Sequence, residues 1–317
     1  MLTTLSKSFF HALAASASLK RMASRYGMRG DNGFARRFVA GETLEEAIEA
    51  VRAIEAAGMT HTLDLLGESV TSLEEAAAAT DAYLGVIDAV TRAGIGRNLS
   101  LKLTQLGLAL DRAAARDNLR RILDAAQPAG FFVRIDMEDS PYTDATLDIW
   151  ESLWRLGYRQ VGVVLQSALY RSEADLERVL ALGGRVRLVK GAYKEPKRVA
   201  WQAKADVDAA FVRMMKALLE RGDFPAIATH DEAIIETTKA FARERGIAPD
   251  RFEFQMLYGI RRDLQARLRQ EGYGMRIYVP FGREWFPYFM RRLGERPANV
   301  LFVARGILGE RASSGPR

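Results

Sequence analysis

The sequence predicts an α/β protein built as a closed (β/α)8 barrel, and three observations carry that prediction. From residue 59 onward, short β-branched or apolar runs alternate with longer stretches of helical period. The eight runs are spread over roughly 250 residues, the usual span of a single barrel of this kind. Each run also carries a polar or ionisable residue at or near its C-terminal end, where barrel enzymes place their chemistry.

In order, the predicted strands are "THTLDLL" (60–66), "LSLKL" (99–103), "FFVRID" (131–136), "VGVVLQ" (161–166), "VRLVK" (186–190), "AIATH" (226–230), "FEFQM" (252–256) and "MRIYVP" (275–280). Segments such as "SLEEAAAATDAYLGVIDAVTRAG" and "ARDNLRRILDAAQPAG" separate them, and their periodic apolar positions and terminal glycines read as helices. An open doubly wound sheet is the competing arrangement. It is disfavoured because no G-x-G-x-x-G follows any of the runs. The expected organisation is an N-terminal helical arm over 1–40, a barrel over 41–310 and a flexible tail over 311–317, which ends in "RASSGPR".

Composition narrows the function. Apolar residues make up 48% and charged residues 27% of the 317, as in an ordinary globular protein, and no run of eighteen apolar residues is present. The absence of cysteine removes disulfides, thiolate metal sites and cysteine nucleophiles. His11, His61 and His230 are too scattered to point to zinc, and His61, on a predicted strand, reads as a satisfied barrel histidine. The net charge of +6 is concentrated in residues 1–30, where Lys7, Lys20, Arg21, Arg25 and Arg29 face no acid. The rest of the chain is nearly neutral, so the high pI is thin support for nucleic acid as a partner. An appendage with a cationic face, attracted to anionic lipid, is the alternative reading of the arm.

The strand ends carry Asp64, Lys102, Asp136, Gln166, Lys190, Thr229 with His230, Gln255 and Tyr278, and Arg187 adds a charge within the fifth strand. "YFMRRLGERPANV" (288–300) follows the eighth run. In a helix, Tyr288, Arg291, Arg292 and Glu295 share one side at spacings of three and four. Alone, that stretch reads first as a solvated charged face, with a clamp for an oxyanion as the sharper alternative, because guanidinium forks match carboxylate and phosphate. Its position directly after the last strand favours the clamp. Cations and acids at this mouth nearly balance, so pairing among them is expected even in the empty site.

"RFVAGET" (37–43), "LDLLGE" (63–68), "SLKLTQLG" (100–107), "VRIDMEDS" (133–140), "RLVKGAY" (187–193), "ATHDEAII" (228–235), "FEFQMLYG" (252–259), "RIYVPFG" (276–282) and "RRLGERPANV" (291–300) occur in an order and spacing that resembles the proline dehydrogenases of proline catabolism. The resemblance is to the short monofunctional type, without a fused aldehyde dehydrogenase domain. It implies a distorted TIM barrel with the last helix over the mouth, FAD held non-covalently, and L-proline as substrate. Implied substrate contacts are Lys102, Arg291 and Arg292 to the carboxylate, Tyr278 and Tyr288 over the ring, and Leu257 and Ala192 as apolar neighbours, with Glu68 pairing to Arg291 as a gate. The implied cofactor contacts are Met137, Gln166, Arg187, Val189, Lys190, Gly191, Ala192, Thr229, His230 and Glu295. Asp136 and Arg187 carry the implied catalytic roles, Asp136 by orienting Lys102 and bonding near Tyr278.

The activity so implied is hydride removal from C5 of L-proline to flavin N5, giving Δ1-pyrroline-5-carboxylate, with electrons passing to a membrane quinone. A separate pyrroline-5-carboxylate dehydrogenase would use the product. The expected location is cytoplasmic, peripheral on the inner face of the membrane through the basic arm. Three other readings remain open on sequence. One is a hydroxyproline dehydrogenase, against which the bulk of Tyr278 argues. Another is a Schiff-base aldolase using Lys190 or Lys102. The last is a non-catalytic barrel with a nucleic-acid-binding arm.

Overall fold

A computed structural model describes residues 28, 33 and 35–295, with residues 294 and 295 described by backbone alone. Nearly all of the expected arm, and the expected tail, therefore lie outside the described residues. The chain enters through α1 (Leu44–Ala56). Eight strands then follow: β1 (Thr60–Leu65), β2 (Asn98–Leu101), β3 (Phe132–Ile135), β4 (Val161–Gln166), β5 (Arg185–Val189), β6 (Ala226–Ala228), β7 (Glu253–Leu257) and β8 (Gly274–Phe281). Between them run α2 (Leu73–Ala93), α3 (Arg112–Ala126), α4 (Thr143–Arg155), α5 (Ser172–Ala181), α6 (Lys204–Arg221), α7 (Glu232–Glu244) and α8 (Arg262–Gln270). After β8 comes α9 (Trp285–Glu295). All neighbouring strands pair in parallel and β8 returns to β1, with Thr60 opposite Arg276 and Leu65 opposite Phe281, which closes the barrel.

Helix boundaries follow local chemistry. Thr43 and Glu46 close a reciprocal capping box on α1, and Asp111 accepts from Ala113 N and Ala114 N at the start of α3. Gly94, in the left-handed conformation, stops α2.

Strand alternation splits the side chains into two sets. Leu63, Leu99, Leu101, Val133, Ile135, Val163, Leu165, Leu188, Ile227, Phe254 and Ile277 belong to one buried hydrophobic cluster that also takes in the apolar faces of the helices. The alternate set, Asp64, Ser100, Arg134, Asp136, Gln166, Arg187, Gln255 and Glu253, is buried and polar. This barrel therefore has a polar, hydrogen-bonded interior inside an apolar shell.

His61 falls in the outward-facing set and differs from expectation. Its ring is buried, Nδ1 lies 3.3 Å from Glu55 Oε1, and neither ring nitrogen has a hydrogen-bond partner. Burial, helped by the nearby Arg276 guanidinium, pushes its pKa down to about 4 against a smaller upward pull from the Gly96 backbone. It is a neutral packing residue against α1, not a satisfied histidine of the lumen. Trp201 lies in the segment before α6, exposed and edge-on to Tyr170 at 4.7 Å.

The last described helix, α9, does not join the outer ring. A second apolar cluster unites Trp285, Phe286, Tyr288, Phe289, Met290 and Leu293 of α9 with Met28, Ala35, Phe38 and Val39, and with Leu66 and Ile260 from loops at the carboxyl ends of β1 and β7. Trp285 Nε1 donates to Glu42 Oε1 at 2.8 Å. Gly259, at φ +71, makes this layer possible, because a Cβ there would stand 1.6 Å from Arg37 O. Residues 35–39 thus lie directly on the β7–α8 loop, and α9 rests on them at the mouth.

Candidate active site

Residues on or just after β1, β2, β3, β5 and β8 supply one continuous polar network. Asp136, the first residue beyond β3, is at its centre. Its Oδ1 accepts from Ser100 Oγ at 2.7 Å and from Arg187 Nη1 at 2.8 Å, and its Oδ2 accepts from Tyr278 OH at 2.6 Å. Lys102 Nζ lies 3.5 Å from Asp136 Oδ2 and 3.4 Å from Asp64 Oδ1. The Arg187 guanidinium carbon also stands 5.2 Å from the centre of the Tyr278 ring.

The electrostatics follow from this packing. Burial pulls the pKa of Lys102 down, but Asp64 and Asp136 outweigh it and the net shift is well upward. Lys102 is thus held as an ammonium, which removes it as a free-amine nucleophile and argues against the Schiff-base reading. Burial raises Asp136, yet Lys102 and Arg187 overcome it and keep the group a carboxylate. Asp64 goes the other way, because burial and the neighbouring Asp136 charge exceed the pull of Lys102.

Above this network lies a cavity of about 440 Å³, lined by Glu68, Lys102, Gln105, Pro287, Tyr288 and Arg291 among others. Arg291 Nη1 donates to Glu68 Oε1 at 2.5 Å, joining α9 to the β1–α2 loop. Arg292, one residue on, is buried and lies over the Tyr288 ring at 5.0 Å. Leu257 packs against the same α9 cluster. The side chain of Glu295 lies outside the described residues.

Around β4, β5 and β6 the second group of expected residues assembles. Gln166 Nε2 donates to Glu138 O at 2.7 Å, and Met137 beside it is buried. Val189 is half-buried at the end of β5, and Gly191 follows at φ +115, where a Cβ would stand 2.9 Å from Gln166 Oε1. Ala192 is exposed. Lys190 is bound to two carboxylates, Asp208 at 2.5 Å and Asp231 at 2.8 Å, and Lys204 reaches the same pair. His230 Nε2 accepts from Leu257 N at 3.0 Å, which places the ring proton of the neutral form on Nδ1. Thr229 Oγ1 accepts from Asp231 N at 3.1 Å.

Two further groups belong to the mouth and a third lies deeper in the barrel, none of them among the residues expected from sequence. Glu138 is buried and accepts from Thr104 N at 3.0 Å and from Thr104 Oγ1. Burial pushes its pKa up to about 6 despite those bonds. Tyr193, in the β5–α6 loop, feels the charges of Lys102, Glu68, Glu138 and Arg291, and burial raises its phenol pKa. Glu253 lies inside the barrel, where it accepts from Gln255 and Arg276. Of the three, only Glu253 carried a signal, since strand alternation puts it on the same face as Gln255 and Leu257.

The fold and this arrangement define a (β/α)8-barrel enzyme whose charged machinery occupies the carboxyl ends of the strands beneath its own last helix. The family model for proline dehydrogenase matches residues 47–305. The chain is 41% identical over 303 residues to proline dehydrogenase 2 of Bacillus subtilis, covering 96% of this chain and 99% of that one. It is 45% identical over 278 residues to the proline dehydrogenase of Deinococcus radiodurans, covering 86% and 90% of the two chains. Among solved structures, proline utilization A from Bdellovibrio bacteriovorus inactivated by N-propargylglycine superimposes with a TM-score of 0.78 at 26% identity. That match covers 82% of this chain and 32% of the longer one. The chain belongs to the proline dehydrogenase family of flavin oxidoreductases.

Proposed function

We propose that this chain oxidises L-proline to Δ1-pyrroline-5-carboxylate with non-covalent FAD, and that the cavity beneath α9 takes the substrate. One observation carries the substrate assignment: Lys102, just after β2, and Tyr288 and Arg291, on α9, line the same cavity of about 440 Å³. Two cations and an aromatic face suit a small amino acid presenting a carboxylate and an apolar ring. Arg292 is the third cationic partner, and Tyr278 and Leu257 bound the ring. Tyr278 is tethered to Asp136. That fixed ring supports proline over a 4-hydroxylated relative, whose hydroxyl it would crowd.

The residues around β4–β6 fit a flavin dinucleotide. Gly191 presents backbone without a side chain beside Gln166. Lys190, Thr229 and His230 stand together there as a donor set for the diphosphate and its surroundings, with Met137, Val189, Ala192 and Glu295 as the remaining contacts. Arg187 supplies a cation for the ring system, an electronic influence that favours its reduced form. When bound, FAD supplies the acceptor for the hydride that leaves proline C5.

The protein's part is to bind, orient and exclude water. Lys102, kept charged by Asp64 and Asp136, holds one side of the substrate carboxylate, and Arg291 holds the other. Asp136 fixes Lys102, Arg187 and Tyr278 relative to one another, so one carboxylate keeps the substrate and cofactor sides in register. Such positioning contributes roughly 7–11 kcal/mol in favourable cases. The Glu68–Arg291 pair and α9 close the mouth. The electrons go on to a membrane quinone and the product to a separate pyrroline-5-carboxylate dehydrogenase. No described helix is long and apolar enough to cross a membrane. The basic segment 1–30 is the proposed peripheral contact with the inner face of the cytoplasmic membrane.

The visible spectrum of the purified protein tests this reading. A yellow protein that bleaches on anaerobic addition of L-proline is the expected result. A protein that stays colourless after FAD is supplied overturns it.

A further inference from the structure

Below the mouth, a chain of buried side chains runs down the barrel interior. Arg187 Nη1 donates to Asp136, and Arg187 Nε donates to Gln255 Oε1 at 2.6 Å. Gln255 Nε2 in turn donates to Glu253 Oε1 at 2.6 Å, and Arg276 Nε donates to that same oxygen at 2.7 Å. Arg187, Gln255 and Glu253 are each no more than 5% exposed. Along this chain the charges alternate in sign with one neutral amide between them.

The chemistry of the two ends fixes the middle. A guanidinium offers donors only, and an ionised carboxylate offers acceptors only. Gln255 lies between one of each, so its oxygen has to face Arg187 and its amino group Glu253. Reversal would set donor against donor at Arg187 and acceptor against acceptor at Glu253. Arg276 Nε donates to the Glu253 carboxylate, and the Arg134 guanidinium also lies within its electrostatic reach.

We propose that Glu253 is a positioning residue for Arg187: it sets the Gln255 amide so that its oxygen anchors Arg187 Nε. Arg187 then has a fixed acceptor on each side, Asp136 toward the mouth and Gln255 toward the interior, and cannot swing along the barrel axis. Without Glu253 the amide is free to turn, Arg187 loses its inner anchor, and its position over Tyr278 is no longer determined. The consequence for the flavin rests on the proposed function above. The positional claim does not.

Two measurements test it. A buried, hydrogen-bonded Nε–H exchanges slowly with solvent, so the Arg187 Nε–H resonance, assigned with Arg187→Lys, reports the anchor without any cofactor. Protection is expected in the wild type and in Glu253→Asp, which keeps an acceptor-only group. Loss of protection is expected in Glu253→Gln and in Gln255→Leu. If Glu253→Gln does not fold, Gln255→Leu and Glu253→Asp decide the matter. Unchanged protection in Gln255→Leu, or equal loss in Asp and Gln variants at 253, overturns the proposal.

The second measurement is the flavin midpoint potential of the holoenzyme. Glu253→Gln and Gln255→Leu are each expected to shift it negative, and the double variant to shift it no further than one single variant. Additive shifts would mean that Glu253 acts outside Gln255, which also overturns the proposal. A wild-type protein that binds no FAD defeats the proposed function, while the Nε–H measurement still decides the role of Glu253.

Discussion

Arg291 on the last helix and Glu68 on the first strand's loop meet at 2.5 Å, 223 residues apart in sequence, and their ion pair spans the cavity above Lys102. Both side chains are largely but not completely covered, at 16% and 27% exposure. A pair in that position is firm enough to hold α9 down and accessible enough for Arg291 to exchange one carboxylate for another.

Arg291→Met is therefore expected to raise KM for L-proline more than it lowers kcat. Truncating one member of a part-buried charged contact costs about 2–4 kcal/mol, roughly 30- to 1000-fold in kcat/KM. Glu68→Ala leaves the substrate's partner intact and should cost far less. Steady-state kinetics of the two variants side by side check the asymmetry, and equal losses would assign the pair a purely structural role.

Tyr278→Phe removes the hydroxyl that donates to Asp136 Oδ2. A hydrogen bond to a charged acceptor contributes about 1.5–3 kcal/mol. A stability loss of that size in urea unfolding is expected, together with reduced kcat, since the carboxylate also orients Lys102 and Arg187. A variant as stable as the wild type would mean that Asp136 finds its third partner elsewhere.

The dependence of stability on pH has two opposing sources. His61 is depressed from 6.5 to about 4. The unfolded chain takes up that proton first, so the stability this neutral histidine allows is complete above pH 6.5 and is lost as pH falls toward 4. The loss is about 3 kcal/mol. Glu138 is raised from 4.5 to about 6, so its contribution is present below pH 4.5 and is lost as pH rises through 6, about 2 kcal/mol in the opposite direction. His61→Leu should flatten the acid limb, and Glu138→Gln should raise stability above pH 6 relative to pH 4.5. Thermal unfolding across pH 4–7 reads both signs.

Gly259→Ala places a Cβ where Arg37 O now stands and forces an L-residue into φ +71. Positive-φ strain alone costs about 1–3 kcal/mol. The clash also lifts residues 35–39, on which α9 rests, so KM should rise although no group in the cavity has changed.

The barrel itself was legible in the sequence because its signals are local. Period-two runs, helical stretches and glycine stops read off in order, and β4 runs from Val161 to Gln166 as the run "VGVVLQ" foretold. The strand ends marked the mouth. The pairing within that mouth was another matter. Contacts across the barrel interior skip strands, and Arg187 on β5 meets Gln255 on β7, past β6 and 68 residues away. Lys190 shows the limit most clearly. Its place after β5 was plain, but its two carboxylate partners come from α6 and from the loop before α7. His61 shows it again, since its strand was evident while the direction of its ring depended on register. The sequence by itself determined the elements and the order of charges around the mouth. Only the tertiary structure decided which charge answers which, because side-chain direction, strand register and the resting place of α9 are set by packing across the whole barrel.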